Sequence, residues 1–204
     1  MRCCPPCREA LPCPALPPAL PPALPLLLPP HLLLPPQLTL PLTSLASIDA
    51  AWRFLTEQER VPAGRIVLYG RSIGTGPTVD LAADTRASTR GAHSPLGAAG
   101  VLLQSPIESG ASVLGGSALA TIGYFADIFC SYKKVARIAA RTAIMHGVSD
   151  AVVPVANGEA LFAKLQAQHP PLWMAGRGHN DMPEREVVAY AKQFVEAVLP
   201  DCDL

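Results

Sequence analysis

The sequence predicts an α/β fold, a parallel sheet flanked by helices, and three observations carry that reading. Beyond residue 45, short apolar or β-branched runs alternate with helical segments, the pattern that builds parallel sheets through crossover helices. One run, Ile66-Val67-Leu68-Tyr69, passes through Gly70-Arg71-Ser72-Ile73-Gly74 into a helical Pro77–Ala83. Two further runs, Arg141–His146 and Pro171–Ala175, end in loops that carry Asp150 and His179.

The first 44 residues stand apart as a low-complexity tail, with one domain predicted over 45–204. Cys3-Cys4-Pro5-Pro6-Cys7 opens the tail, and a repetitive Leu/Pro/Ala stretch, Pro14 through Leu42, follows. Between Ala10 and Ile48 there is no charged side chain apart from a titratable His31. Prolines nevertheless recur every few residues, each costing about 3 kcal/mol in a helix interior. A bilayer span needs about 20 continuous helical residues, so polyproline-II or disordered chain is expected rather than a transmembrane helix. Glu9 spoils the basic leader of a secretory signal. The Pro-Pro steps suit an SH3-like groove, a lesser reading because flanking charges are absent. Sixteen basic and 16 acidic residues balance to zero, which leaves no footprint for nucleic acid.

Within the domain, residues 45–60 suit an amphipathic helix, with Leu45, Ile48, Ala51, Trp52 and Leu55 at helical spacing. After the run at Ile66 and its helix, Thr85–Ala99 reads as a Ser/Gly/Thr/Arg-rich surface loop. Gly100–Gln104 is the next strand, and Ser109–Thr121 reads as a short cap over the site. Tyr124–Ile138 contains helical and connecting pieces, and Ala156–Gln168 and Pro183–Leu199 are the last two helices.

Gly-x-Ser-x-Gly between strand and helix is the context of a nucleophile elbow, a turn so tight that Gly70 and Gly74 are expected to be forced by it. The plain alternative is a glycine-rich turn. A serine hydroxyl needs a base to accept its proton and a carboxylate to orient that base. In this architecture the chain order is Ser, Asp or Glu, then His. Ser72, Asp150 and His179 keep that order, and all three fall at equivalent ends of successive strands, where open α/β sheets collect their functional groups. The N–H of Ile73 is the predicted oxyanion donor.

Each residue has a plainer reading. Asp150 could be a helix N-cap or form a turn before Pro154. Asp181 is a rival carboxylate, although capping of the last helix is its favoured role. His146 precedes a glycine as oxyanion-loop histidines do, but it follows the nucleophile, so a buried structural role is favoured. His31, His93 and His169 belong to no constellation. No His, Asp or Glu pair has metal-ligand spacing. Cys4 and Cys7 have Cys-x-x-Cys spacing, but only Cys13 and His31 are at hand to complete a zinc site. Two prolines between the thiols argue against a redox site.

Ala46–Trp52, Ile66–Ala83, Gln104–Gly110, His146–Val153 and Gly176-Arg177-Gly178-His179-Asn180-Asp181 closely resemble the α/β-hydrolase domain-containing protein 17 family. Its members are membrane-anchored serine hydrolases that remove palmitate from protein cysteines. The resemblance runs from about residue 46 to 198. It implies an α/β-hydrolase fold and a cofactor-free Ser72–His179–Asp150 triad, with S-acylated membrane proteins as substrates. By the same resemblance, Cys3, Cys4 and Cys7, extended by Cys13, are S-acylation sites. They would hold the chain at the cytoplasmic face of the plasma membrane or endosomes.

The resemblance also marks departures. Where the family has its first strands and a His-Gly-Asn loop giving a second oxyanion N–H, this chain has the Leu/Pro stretch. The fold is therefore expected to be incomplete, the C-terminal half of the sheet with four strands. Ile66–Tyr69 would present an unpaired apolar edge. Two rival functions follow: an impaired remnant acting by binding, and a triad acting on small esters or peptides.

Overall fold

A computed structural model describes residues 36–83, 97–109 and 129–200, with side chains from Ser44 onward. Four strands, β1 (Val67–Arg71), β2 (Gly100–Gln104), β3 (Arg141–Gly147) and β4 (Leu172–Met174), form a parallel sheet in the order β1-β2-β3-β4. Arg71 lies opposite Gln104, Gln104 opposite Met145, and Gly147 opposite Met174. Parallel pairing in this register brings the carboxyl ends of all four strands to one rim. The loops that leave β1, β3 and β4 therefore start side by side.

Successive residues of the central strands point to opposite faces, and both faces are covered. Val101, Leu103 and Ile144 pack with Trp52, Val79, Leu81 and Leu161. These last four come from α1 (Pro36–Arg53), α2 (Thr75–Ala82) and, for Leu161, the helix Val155–Phe162. Leu102, Ala143 and Met145 point the other way, onto Tyr190 and Phe194. A short helix, α3 (Ser131–Lys134), precedes β3. The helix Val155–Phe162 is α4, and α5 (Glu184–Val198) carries Tyr190 and Phe194. Val187, Tyr190, Ala191, Phe194 and Val198 recur at helical spacing along α5, and this single apolar stripe fixes which side of the helix meets the sheet.

The elements depart from the sequence reading in four places. The first helix begins at Pro36, inside the stretch assigned to the tail, and runs through Pro41. Pro36 occupies the first helical position, where a missing N–H costs nothing. Pro41 forfeits one bond in the second turn, while Leu45 and Trp52 further along are almost fully buried and anchor the helix. Ala51 is exposed although its spacing placed it on the apolar face; Ile48 and Leu55 are partly buried, as expected. The helix then widens into a π-helical turn, Phe54–Gln58.

The fourth departure concerns α4, which stops at Phe162 rather than Gln168. Thr142 N–H donates to Ala167 O at 2.8 Å and His169 N–H to Thr142 O at 2.9 Å, so residues 167–169 join the start of β3 as a parallel bridge. Sheet pairing there wins over helix propensity.

Among the described residues, β1 pairs only with β2, and no described strand lies along its other edge. No helix among them is long and apolar enough to cross a membrane. Cys3, Cys4, Cys7, Cys13, His31, His93, most of Thr85–Ala99 and nearly all of the Ser109–Thr121 cap lie outside the described residues, as do residues 124–128.

Candidate active site

The turn after β1 is strained and well supported. Ser72 has φ +51°, the left-handed region that L-residues other than Gly, Asn and Asp rarely enter. It opens a short 3₁₀ turn, Ser72–Gly74, that leads straight into α2. Thr75 Oγ1 donates to Ser72 O at 2.6 Å, Thr78 Oγ1 donates to Gly74 O at 2.9 Å, and Ile107 N–H donates to Thr75 Oγ1 at 3.2 Å. Both threonines are buried. They replace the bonding that an unstrained turn would provide, and so hold Ser72 at a costly dihedral.

The two glycines differ, which the sequence reading did not anticipate. A Cβ on Gly70 would stand 2.6 Å from Thr78 Oγ1 and 2.9 Å from Thr75 Cα, so no side chain fits. Gly74 is helical, at φ −64°, and a Cβ there would meet nothing within 4 Å. The turn demands Gly70, while no described residue crowds Gly74.

The loop after β3 is built around Asp150, whose carboxylate is divided between two tasks. Oδ1 accepts Val152 N–H at 2.9 Å and Val153 N–H at 2.7 Å, the bonds of an Asx turn before Pro154. Oδ2 faces His179 Nδ1 at 2.7 Å. The turn-forming reading of this residue is thus realised by Oδ1, while Oδ2 is left facing the imidazole. Burial pushes the Asp150 carboxyl up, but the bonds from Val153 N–H, the His179 ring and Val152 N–H outweigh it and hold the group below its ordinary range.

His179 completes a continuous row, with its Nε2 at 2.9 Å from Ser72 Oγ. An ionised carboxylate only accepts, so Nδ1–H donates to Asp150 and Nε2 is left to accept the serine O–H. Two contacts fix the His179 loop. Arg71 Nη2 donates to Asn180 Oδ1 at 2.8 Å and to His179 O at 3.3 Å, tying this loop to the turn after β1. Asp181 accepts Gly178 N–H through Oδ1. The capping role expected of Asp181 is therefore not what it does: Pro183 takes the N-cap position of α5, with no side-chain cap, and Asp181 closes the histidine loop instead. Ile73 follows Ser72 in the 3₁₀ turn, with its side chain largely exposed.

His146 is fully buried, as expected, and stands behind the row. Its Nε2 donates to Val153 O at 2.9 Å and lies 3.5 Å from Asp150 Oδ2. Burial lowers its pKa more than the Val153 carbonyl and the Asp150 carboxylate raise it, so the ring is neutral. The His-Gly signal marked this residue, but its place beside Asp150 could not be read from spacing. His169, which belongs to no constellation in the sequence, is also buried, edge-on to Tyr190 and Phe194, and burial followed by the Arg141 charge lowers its pKa. Among the described residues no cluster of three His, Cys, Asp or Glu side chains could hold a metal ion.

These shifts predict a pH dependence of stability. His146, His169 and Asp150 all hold protons less tightly folded than unfolded, so the unfolded state binds more protons and stability falls as pH falls. The histidines act once pH drops below their ordinary 6.5, and Asp150 only below its ordinary 3.8. Calorimetry at pH 7.5 and 5.5 is expected to give a lower Tm at 5.5, with a smaller drop in His169→Phe.

No family model matches the chain. It is 36% identical over 157 residues to human alpha/beta hydrolase domain-containing protein 17C, covering 76% of this chain and 44% of that protein. Against human 17B the identity is 36% over 155 residues, covering 76% and 49%. The chain thus spans about half the length of the curated relatives it matches. Among solved structures, an esterase of Thermogutta terrifontis superposes with a TM-score of 0.60 at 16% identity, covering 78% of this chain and 66% of that one. Acetyl xylan esterase 1 from Thermoanaerobacterium gives 0.58 at 15%, covering 76% and 52%. The structural likeness fixes the fold as that of an α/β hydrolase. With the sequence identity, it makes this chain a member of the alpha/beta hydrolase domain-containing protein 17 family.

Proposed function

We propose that the chain is a serine hydrolase of acyl thioesters and esters, with fatty-acyl thioesters on protein cysteines as its substrate class. One observation carries the reading: Ser72 Oγ, the His179 ring and the Asp150 carboxylate form an unbroken hydrogen-bonded row at 2.9 and 2.7 Å. The thioester preference rests on membership of the family alone.

In this mechanism Ser72 Oγ attacks the thioester carbonyl while His179 Nε2 takes its proton, and Asp150 stabilises the resulting imidazolium. The tetrahedral oxyanion faces Ile73 N–H. As the C–S bond breaks, His179 returns the proton to the departing thiolate, and a thiol leaves. Water, deprotonated by the same ring, then hydrolyses the acyl-serine. No cofactor takes part. S-acylation of Cys3, Cys4 and Cys7 would hold the chain at the cytoplasmic face of a membrane. A single acyl chain binds only marginally, so a cluster is what anchoring requires. S-acylated membrane proteins would then be its partners.

A second reading, binding without turnover, draws on the edge of β1 along which no described strand pairs. One experiment separates the two. A fluorophosphonate probe is expected to label wild type and not Ser72→Ala, with hydrolysis of a palmitoyl thioester lost in parallel. Equal labelling of both proteins rules out Ser72 as nucleophile.

A further inference from the structure

We infer that His146 is a positioning residue for Asp150: its bond to Val153 O holds the acid's turn so that Oδ2 meets the His179 ring. This inference rests on the hydrolase reading above and adds to it what sets the orientation of the acid. His146 itself reaches neither Ser72 nor the reacting carbonyl; it acts through the turn.

Three observations favour this role over that of a space-filling core histidine. The first is a closed set of bonds. Val153 N–H donates to Asp150 Oδ1 at 2.7 Å, and Val153 O accepts Nε2–H of His146 at 2.9 Å. Both backbone groups of Val153 are therefore held, one by the acid and one by the ring. The ring belongs to β3, where His146 lies opposite Trp173 of β4, so the turn is anchored to the sheet rather than to another loop. Nε2 also lies 3.5 Å from Asp150 Oδ2, near enough to back the carboxylate without taking it from His179 at 2.7 Å.

The second observation is the residue type. His146 is fully buried, and its Nδ1 has no hydrogen-bond partner among the described residues. An orphaned buried nitrogen costs stability that an apolar side chain would not, so stability alone does not account for a histidine here. Only its Nε2 side makes a bond. The third is how closely the neighbours approach. A Cβ on Gly158 of α4 would stand 2.6 Å from Nδ1 and 3.2 Å from Trp173 Cζ3, so the helix meets the ring through a glycine. A Cβ on Gly147 would collide with the carbonyl oxygens of Arg177 and Gly178, in the loop that carries His179. The His-Gly pair thus braces the acid loop with its first residue and admits the base loop with its second.

The test uses the full chain and three variants. His146→Gln keeps an amide N–H where Nε2–H stands, His146→Asn places its amide on the Nδ1 side, and His146→Leu fills the space without a donor. In the Asn and Leu variants kcat for thioester hydrolysis is expected to fall about tenfold to a hundredfold with KM nearly unchanged, the scale of a small misplacement in a reacting row. The Gln variant is expected to keep kcat within about threefold of wild type, and Leu to leave Tm no lower. Proton NMR supplies a readout independent of turnover. The downfield resonance of the proton between Asp150 and His179 is expected in wild type and Gln, and shifted or lost in Asn and Leu. Unchanged kcat and resonance in Asn and Leu, or a loss in Gln equal to that in Leu, overturns the proposal. Should Leu fail to fold, the comparison of Gln with Asn decides alone. A wild type that neither labels with the fluorophosphonate probe nor turns over thioester overturns the hydrolase reading instead, and the resonance still reports whether His146 sets the contact between Asp150 and His179.

Discussion

In His179→Ala, kcat for thioester hydrolysis is expected to fall at least about a thousandfold. The reason is direct: among the described residues the ring is the group placed to take the Ser72 proton, at 2.9 Å. Among the described residues the side chain bonds within the row, to Ser72 and Asp150, so Tm is expected to move little. Ser72→Ala should lose a similar factor. The informative measurement is the double variant. Two residues that act in one proton transfer fail together, so the double loss should match the larger single loss rather than the product of the two. A multiplicative result would mean that serine and histidine serve separate steps, and the row would then be structural.

Asp150→Asn is the second large effect, and here the divided carboxylate makes the outcome specific. An amide oxygen at the Oδ1 position still accepts Val152 and Val153 N–H, so the loop should keep its shape and the fold its stability. The NH₂ group then occupies the Oδ2 position and donates to His179 Nδ1, forcing that nitrogen to accept. The proton moves to Nε2, which can no longer take one from Ser72. A loss of roughly 10³–10⁴ in kcat is expected with nearly unchanged Tm, since a wrong tautomer alone has that scale of effect. Asp150→Ala should differ by also lowering Tm, because it orphans two backbone donors, one of them buried. Equal stability of the Asn and Ala variants would remove the turn-forming role assigned to Oδ1.

How legible this was in the sequence depends on the range of the interaction. Ser72, Asp150 and His179 could be aligned because each follows an apolar run, and parallel strands put such run-ends at one rim. The strands follow from their apolar runs, although β1 continues past Tyr69 to Arg71. The Arg71 tie to the His179 loop joins residues 108 and 109 positions apart, and nothing in local pattern announces it. Asp181 looked like a helix cap because it precedes α5, yet the nearer unsatisfied donor was Gly178 N–H in its own loop. The start of α1 was hidden by a rule applied too broadly. Each proline carries a helix-interior cost in that reading, whereas one at the first position is tolerated and one in the second turn can be outweighed by burial of Leu45 and Trp52. Gly74 was misread because the five-residue pattern does not say which of its glycines is crowded.

The ladder that joins β1, β2, β3 and β4 carries one more consequence. Ser72 hangs from the first strand, Asp150 from the third and His179 from the fourth, so their separations are copied from the strand alignment. Slippage of β3 by a single residue would carry Asp150 about 3.3 Å along the sheet, more than the whole distance tolerance of a hydrogen bond. The sheet thus behaves as a jig, and proton-transfer competence becomes a sensitive gauge of whether its strands have been assembled in correct alignment.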